Sequence, residues 1–170
     1  VVYLYPELMP TPSLSFAVRY FKCNAGVVVT ASHNPKIYNG YKVYGPDGCQ
    51  CTDTLAGAIL DEIMAIDMFD PKIGDYEALV KEGKIILIGE DCFDAYMKST
   101  MKQSLYQEER KLNIVYTPLN GAGRRCVTTI LKLDGFNNVN IVKEQEMPNG
   151  DFPTCPYPNP EIKEAMAVGI

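Results

Sequence analysis

The chain has 170 residues, with 16 Lys plus Arg against 21 Asp plus Glu and a formal net charge of −5. At 46% hydrophobic and 22% charged residues it has the balance of an ordinary globular domain, which excludes disordered, collagen-like and disulfide-scaffold chains. The acidic balance leaves no basic footprint for nucleic acid or an anionic membrane, so neither is expected as a partner.

Val1-Val2-Tyr3-Leu4-Tyr5 opens as a strand already under way. Thr11-Pro12 then reads as a helix start, with Thr as cap and Pro at the first helical position, followed by Leu14, Ala17, Val18 and Phe21 at helical spacing. Asn24 and Gly26 end that helix, and Val27-Val28-Val29-Thr30 is a short apolar strand of the kind buried on both faces. Strand, helix and strand of this size predict a βαβ unit with a parallel sheet. Asn39-Gly40, set between Tyr38 and Tyr41-Lys42-Val43-Tyr44, is a strong signal for a tight hairpin. Thr52 is expected to cap a helix whose Leu55, Ile59, Ile63 and Ile66 form one apolar stripe, with Asp53 at its positive end.

Residues 71–90 read as a linker holding a short helix, Tyr76 to Lys81, and a strand, Lys84 to Ile88. The next helix spaces Phe93, Met97, Met101 and Leu105 four apart, a core face. A strand over 112–117, the turn Gly121-Ala122-Gly123, a helix ending near Asp134-Gly135 and a strand over 139–142 predict a second βαβ unit. The stretch 147–160, with Pro148, Pro153, Pro156, Pro158 and Pro160, is an extended loop, and Glu161 to Met166 begins another helix. The fold class expected is α/β with mixed, mostly parallel sheets, in two incomplete adjoining domains at 1–70 and 91–170. A chain that starts in a strand and stops in a helix is expected to be a fragment of a longer enzyme.

No apolar run approaches the roughly 20 residues of a membrane span, and no charged-then-apolar leader opens the chain. The six cysteines, at 23, 49, 51, 92, 126 and 155, are scattered, and His33 is the single histidine. A zinc site is therefore not expected, and reduced, buried thiols in the cytoplasm are.

Chemistry concentrates in Thr30-Ala31-Ser32-His33-Asn34-Pro35, at the carboxyl end of an expected parallel strand, where open α/β sheets place ligands. Pro35 holds Asn34 out of the helical region and shapes the segment as a loop. Acyl hydrolysis lacks its G-x-S-x-G motif, and the side chains of neighbouring residues such as Ser32 and His33 usually diverge. Phosphoryl transfer fits better, with Ser32 as a covalent relay. A phosphoserine carries close to two negative charges and needs cations or N–H donors around it. Lys42, on the expected hairpin, is in position to fold back toward that phosphate. Arg124-Arg125 at a helix start reads as a surface pair, and Gly121-x-Gly123 is too short for a dinucleotide fingerprint.

The hexapeptide Thr30 to Pro35 followed by Tyr38-Asn39-Gly40-Tyr41-Lys42 closely resembles the signature of the α-D-phosphohexomutases, the phosphoglucomutase and phosphomannomutase superfamily. The resemblance extends to Thr11 to Arg19, to Leu119-Asn120-Gly121-Ala122-Gly123, and to Gly150-Asp151-Phe152-Pro153-Thr154 with Pro158-Asn159-Pro160-Glu161. Asn149 departs from the more usual Pro-Asp-Gly turn, which Asn suits equally well.

The resemblance implies that Ser32 is the phosphorylated residue, exchanging its phosphoryl group with a hexose 1- or 6-phosphate through a sugar bisphosphate. It implies that His33 and Lys42 transfer protons or stabilise charge, and that Asn34 shapes the substrate loop. It further implies Mg²⁺ held by the Ser32 phosphate and an Asp-x-Asp-x-Asp loop, which these residues do not contain, and glucose 1,6-bisphosphate as activator. Its partners would be the hexose phosphate and the remaining domains of a four-domain enzyme, so the chain alone is expected to be inactive. A phosphopentomutase and a non-catalytic sugar-phosphate-binding homologue stand as alternatives.

Overall fold

The computed structural model describes residues 1–105 and 110–170. Its strands form three two-stranded sheets: β1 (Val2–Leu4) runs parallel to β4 (Ile85–Leu87), β2 (Gly26–Val29) antiparallel to β3 (Tyr41–Tyr44), and β5 (Asn113–Tyr116) parallel to β6 (Asn138–Ile141). Mixed α/β structure with mainly parallel pairing is the expected class. The strand neighbours in the first half are not the expected ones.

The βαβ unit expected over residues 1–30 does not close on itself, because β1 takes β4 as its partner, in the register Val2↔Ile85. The ladder of β2 goes to β3 instead, in the register Val29↔Tyr41, because a hairpin partner is nearer along the chain than any parallel one. The tight hairpin expected at Asn39-Gly40 is likewise displaced. Asn39 Oδ1 accepts the Gly40 N–H at 2.9 Å and leads into β3, while the Thr30 N–H donates to the Gly40 carbonyl at 2.8 Å. The hairpin loop is thus the whole segment between Thr30 and Gly40. With a single strand beside it, β2 is not buried on both faces: Val27 and Val29 are 58% and 69% exposed.

Helix α1 (Thr11–Tyr20) begins one residue earlier than the Thr cap predicts, with Pro10 in the cap position and the Ser13 hydroxyl donating to the Pro10 carbonyl at 2.7 Å. Its Ala17 and Val18 are buried. A Cβ on Gly26 would lie 2.5 Å from Val18 Cγ2, so glycine there lets α1 rest directly on the start of β2. In α2 (Asp53–Met64), Thr52 holds the cap position without a side-chain hydrogen bond, and the apolar stripe is mostly exposed, with Ile59 half-buried. Between the halves, α3 (Tyr76–Lys81) is capped by Asp75 Oδ1, which accepts the Ala78 N–H at 2.7 Å. The 71–90 segment, expected as a linker, thereby delivers β4 to β1.

The core runs through α4 (Glu90–Met101). Its Cys92 packs with Ala17 and Ile88, and its Phe93 and Met97 pack with Cys126 of α5 (Arg124–Leu133). Burying Ile88, Phe93 and Met97 contributes about 1.5–3 kcal/mol each. The four-residue spacing carries the core face as far as Met101; Leu105 lies beyond the helix and is exposed. Two short helices complete the chain, α6 (Lys143–Glu146) and α7 (Lys163–Met166), and a third cluster of Leu119, Cys155 and Ala165 lies under the proline-rich loop. Three of the six free thiols, Cys92, Cys126 and Cys155, are buried as expected, whereas Cys49 is exposed. Among the described residues no helix is long and apolar enough to cross a membrane.

Candidate active site

Ser32 is in the left-handed region at φ 59°. It follows Ala31, whose carbonyl accepts the Asn34 N–H at 3.1 Å, so Ser32 is the first central residue of a turn where glycine is the usual occupant. A side chain there costs about 1–2 kcal/mol. What holds it is Thr30 at the end of the hairpin strand: Thr30 Oγ1 accepts the Ser32 N–H at 2.9 Å. Ser32 is exposed.

His33 does not diverge from its neighbour. Its Nδ1 lies 3.4 Å from Ser32 Oγ, a long hydrogen-bond separation across which either group can donate. Asn34 is exposed and uses its backbone N–H to close the turn. Lys42 is on β3 opposite Val28 and borders a different cavity, with Val43, Gln50, Ile59 and Leu60. Ser32 and His33 are therefore brought together, while Lys42 lines a different cavity from Ser32.

Ser32 opens into a cavity of about 360 Å³ whose other walls come from the second half of the chain: Tyr116, Thr117, Leu119, Phe152 and Pro158. That volume falls in the range of small-molecule sites. A buried polar relay shapes the far wall. Gln145, fully buried, accepts from the Thr117 hydroxyl at 2.6 Å and shares a 3.0 Å hydrogen bond from its Nε2 to Thr154 Oγ1. Its carbonyl accepts the Asn120 N–H at 2.8 Å, which fixes Leu119 and Asn120 in left-handed conformations. Burial pushes the Tyr116 phenol above its ordinary range and keeps it protonated.

Lys36, four residues after Ser32, reaches across to Asp151 Oδ1 at 2.9 Å. The hydrogen bond from Lys36, then its charge, holds the Asp151 carboxyl below the usual carboxylate range. Asn149 Oδ1 accepts the Asp151 N–H at 2.9 Å, so Asn149 supports its turn as an Asp would. Neither Thr30 as an anchor, nor Gln145, nor this ion pair was singled out from sequence. Thr30 stood within the informative hexapeptide, but the other two pairings have no local signal. The arginine pair is structural: Arg124 bonds Glu146 at 2.9 Å, and Arg125 pairs with both Glu7 and Glu90 above the Phe93 ring, 3.8 Å from its centroid. Among the described residues no three His, Cys, Asp or Glu side chains gather as a metal site.

The features define an α/β protein in which an exposed serine, Ser32, stands on a left-handed hairpin turn at a shared cleft. Residues 1–69 match the family described as "Phosphoglucomutase/phosphomannomutase, alpha/beta/alpha domain I", and residues 94–170 match its domain II. The chain belongs to the phosphoglucomutase/phosphomannomutase family. It is 36% identical to a phosphoglucomutase of Staphylococcus saprophyticus over 94% of this chain and 29% of that protein. It is also 36% identical to a phosphoribomutase of Saccharomyces cerevisiae, over all of this chain and 30% of that one. A crystal structure described as that of a phosphomannomutase from Thermus thermophilus superposes with a TM-score of 0.73 at 26% identity, over 98% of this chain and 35% of the other. The chain thus spans about a third of the length of the relatives it matches.

Proposed function

We propose that the chain carries the phosphoryl-relay serine of a cytoplasmic phosphohexomutase that interconverts hexose 1-phosphate and hexose 6-phosphate, the hexose being glucose or mannose. The observation that carries this reading is Ser32 itself, an exposed nucleophile held at φ 59° at the mouth of the cleft. When phosphoserine 32 gives up its group, its Oγ–P bond breaks, a bond from phosphorus to the sugar hydroxyl oxygen forms, and the hydroxyl proton passes to Ser32 Oγ. The bisphosphate then reorients and returns its other phosphoryl group to Ser32 by the reverse exchange.

His33 Nδ1, 3.4 Å from Ser32 Oγ, is the proton carrier in this reading. Asn34 shapes the substrate side of the turn. Lys42, on the strand that follows the loop, supplies positive charge to the phosphate. Glucose 1,6-bisphosphate is the activator that loads Ser32. The described residues do not fit a complete Mg²⁺ site; an oxygen of the Ser32 phosphate is the one ligand proposed from this chain, and each step above uses the chain's own groups.

Mass spectrometry of the complete gene product after incubation with glucose 1,6-bisphosphate tests the proposal. One phosphoryl group on Ser32, and loss of turnover in Ser32→Ala, are expected. An unmodified Ser32 in a protein that still converts sugar phosphates overturns it, and an unmodified, inactive protein favours a non-catalytic sugar-phosphate-binding role. A pentose phosphate is the second reading, favoured by the similarity to a phosphoribomutase. Parallel assays with glucose, mannose and ribose 1-phosphates decide between the sugars.

A further inference from the structure

The Ser32 turn leaves the β2–β3 ladder after Thr30 and rejoins it at Gly40, so its tip is held to its own sheet only at the two ends. At the tip, Lys36 makes an ion pair with Asp151 in the loop after α6, 115 residues away in sequence. Asp151 is next to Phe152, a cleft-lining residue held left-handed at φ 46°. One ion pair therefore joins the segment that presents the nucleophile to the segment that forms the opposite wall.

We propose that the Lys36–Asp151 ion pair is a clasp that sets the Ser32 turn against the opposite wall of the cleft, which makes Lys36 and Asp151 positioning residues for phosphoryl transfer at Ser32. This rests on the reading of Ser32 as the phosphoryl acceptor. The two side chains are 57% and 78% exposed, so the pair is a weak one, and its effect on the docked population of the turn is roughly two- to five-fold. The pair is also open to screening, since the Debye length falls from about 10 Å at 0.1 M salt to about 3 Å at 1 M. A clasp of this strength tilts the turn toward the cleft without locking it there.

The experiment compares Lys36→Ala, Asp151→Ala and the charge-exchanged double variant Lys36→Asp/Asp151→Lys in the complete gene product. The rate read is transfer of one phosphoryl group from glucose 1,6-bisphosphate to Ser32 Oγ, with the serine proton passing to the sugar oxygen that is released. Each single variant is expected to slow this transfer about two- to five-fold at low salt, with an unchanged melting temperature. The exchanged pair restores the rate, and at about 1 M salt the unmutated protein falls part of the way toward the level of the single variants. Single variants that transfer at the unmutated rate, or an exchanged pair that fails to recover, overturn the clasp.

Amide hydrogen exchange over residues 31–40 reads the same clasp without any chemistry. Either single variant should exchange faster by a similar factor, and the exchanged pair should return to the original rate. If the unmutated protein accepts no phosphate, the functional reading falls while the exchange data still decide whether the clasp exists. Identical exchange in all variants refutes it.

Discussion

Thr30 Oγ1 accepts the Ser32 N–H at 2.9 Å, and this bond braces a serine in a backbone region that suits glycine. The conformation of Ser32 persists because the turn's own bonds and the ladder behind it, through Thr30 and Gly40, hold it there.

The first prediction separates backbone strain from chemistry at that position. Ser32→Gly should be more stable than Ser32→Ala by about 1 kcal/mol, since alanine keeps the Cβ at positive φ and glycine removes it. Urea denaturation of the two variants checks the order. Both lose phosphoryl acceptance, so a glycine variant less stable than the alanine variant would show that the turn is unstrained.

The second concerns the far wall of the cleft. Gln145→Leu leaves the Thr117 and Thr154 hydroxyls without their shared partner in a buried place and should cost about 2–3 kcal/mol. Thr154→Ala removes a single bond from the relay and should cost about 1 kcal/mol. Denaturant midpoints of the two variants measure the ratio, and equal losses would mean that Gln145 does not organise the wall.

The third uses acid. The Ser104 hydroxyl, bonded at 2.6 Å, and then the Arg110 guanidinium hold the Asp134 carboxyl below its ordinary range. A carboxyl lowered on folding stabilises the native state fully above its unfolded-state value, and that contribution fades as pH falls through the lower folded value. Asp134→Asn should therefore be less stable than the unmutated protein at neutral pH, with the gap closing as pH drops below about 4. Melting temperatures across that interval record it; a gap that widens in acid would contradict the assignment.

The cleft-facing turn of Ser32 and His33 was legible in one hexapeptide, and the helices α1, α4 and α5 were legible from their spacing and punctuation. Strand partners in the first half were not. Val27-Val28-Val29 reads as a doubly buried strand because apolar residues run without a break, but alternation is the cue that assigns faces, and a continuous run carries none. The β1–β4 pairing joins residues more than eighty apart, Val2 and Ile85, and depends on where α1 and α4 settle. At the site, Ser32 and Asn34 could be placed on a loop from Pro35 alone. The approach of His33 to Ser32 needed the left-handed φ of Ser32, which nothing in the letters Ser-His encodes.

Among the described residues, two ion pairs cross between the spans 1–69 and 94–170, and their surroundings differ. Arg125, 28% exposed, lies on the Phe93 ring while holding Glu7, whereas Lys36 and Asp151 meet in solvent. Dissolved ions weaken the second pair far more than the first. Rising ionic strength is therefore expected to loosen the hold at the cleft mouth while the Glu7–Arg125 pair persists.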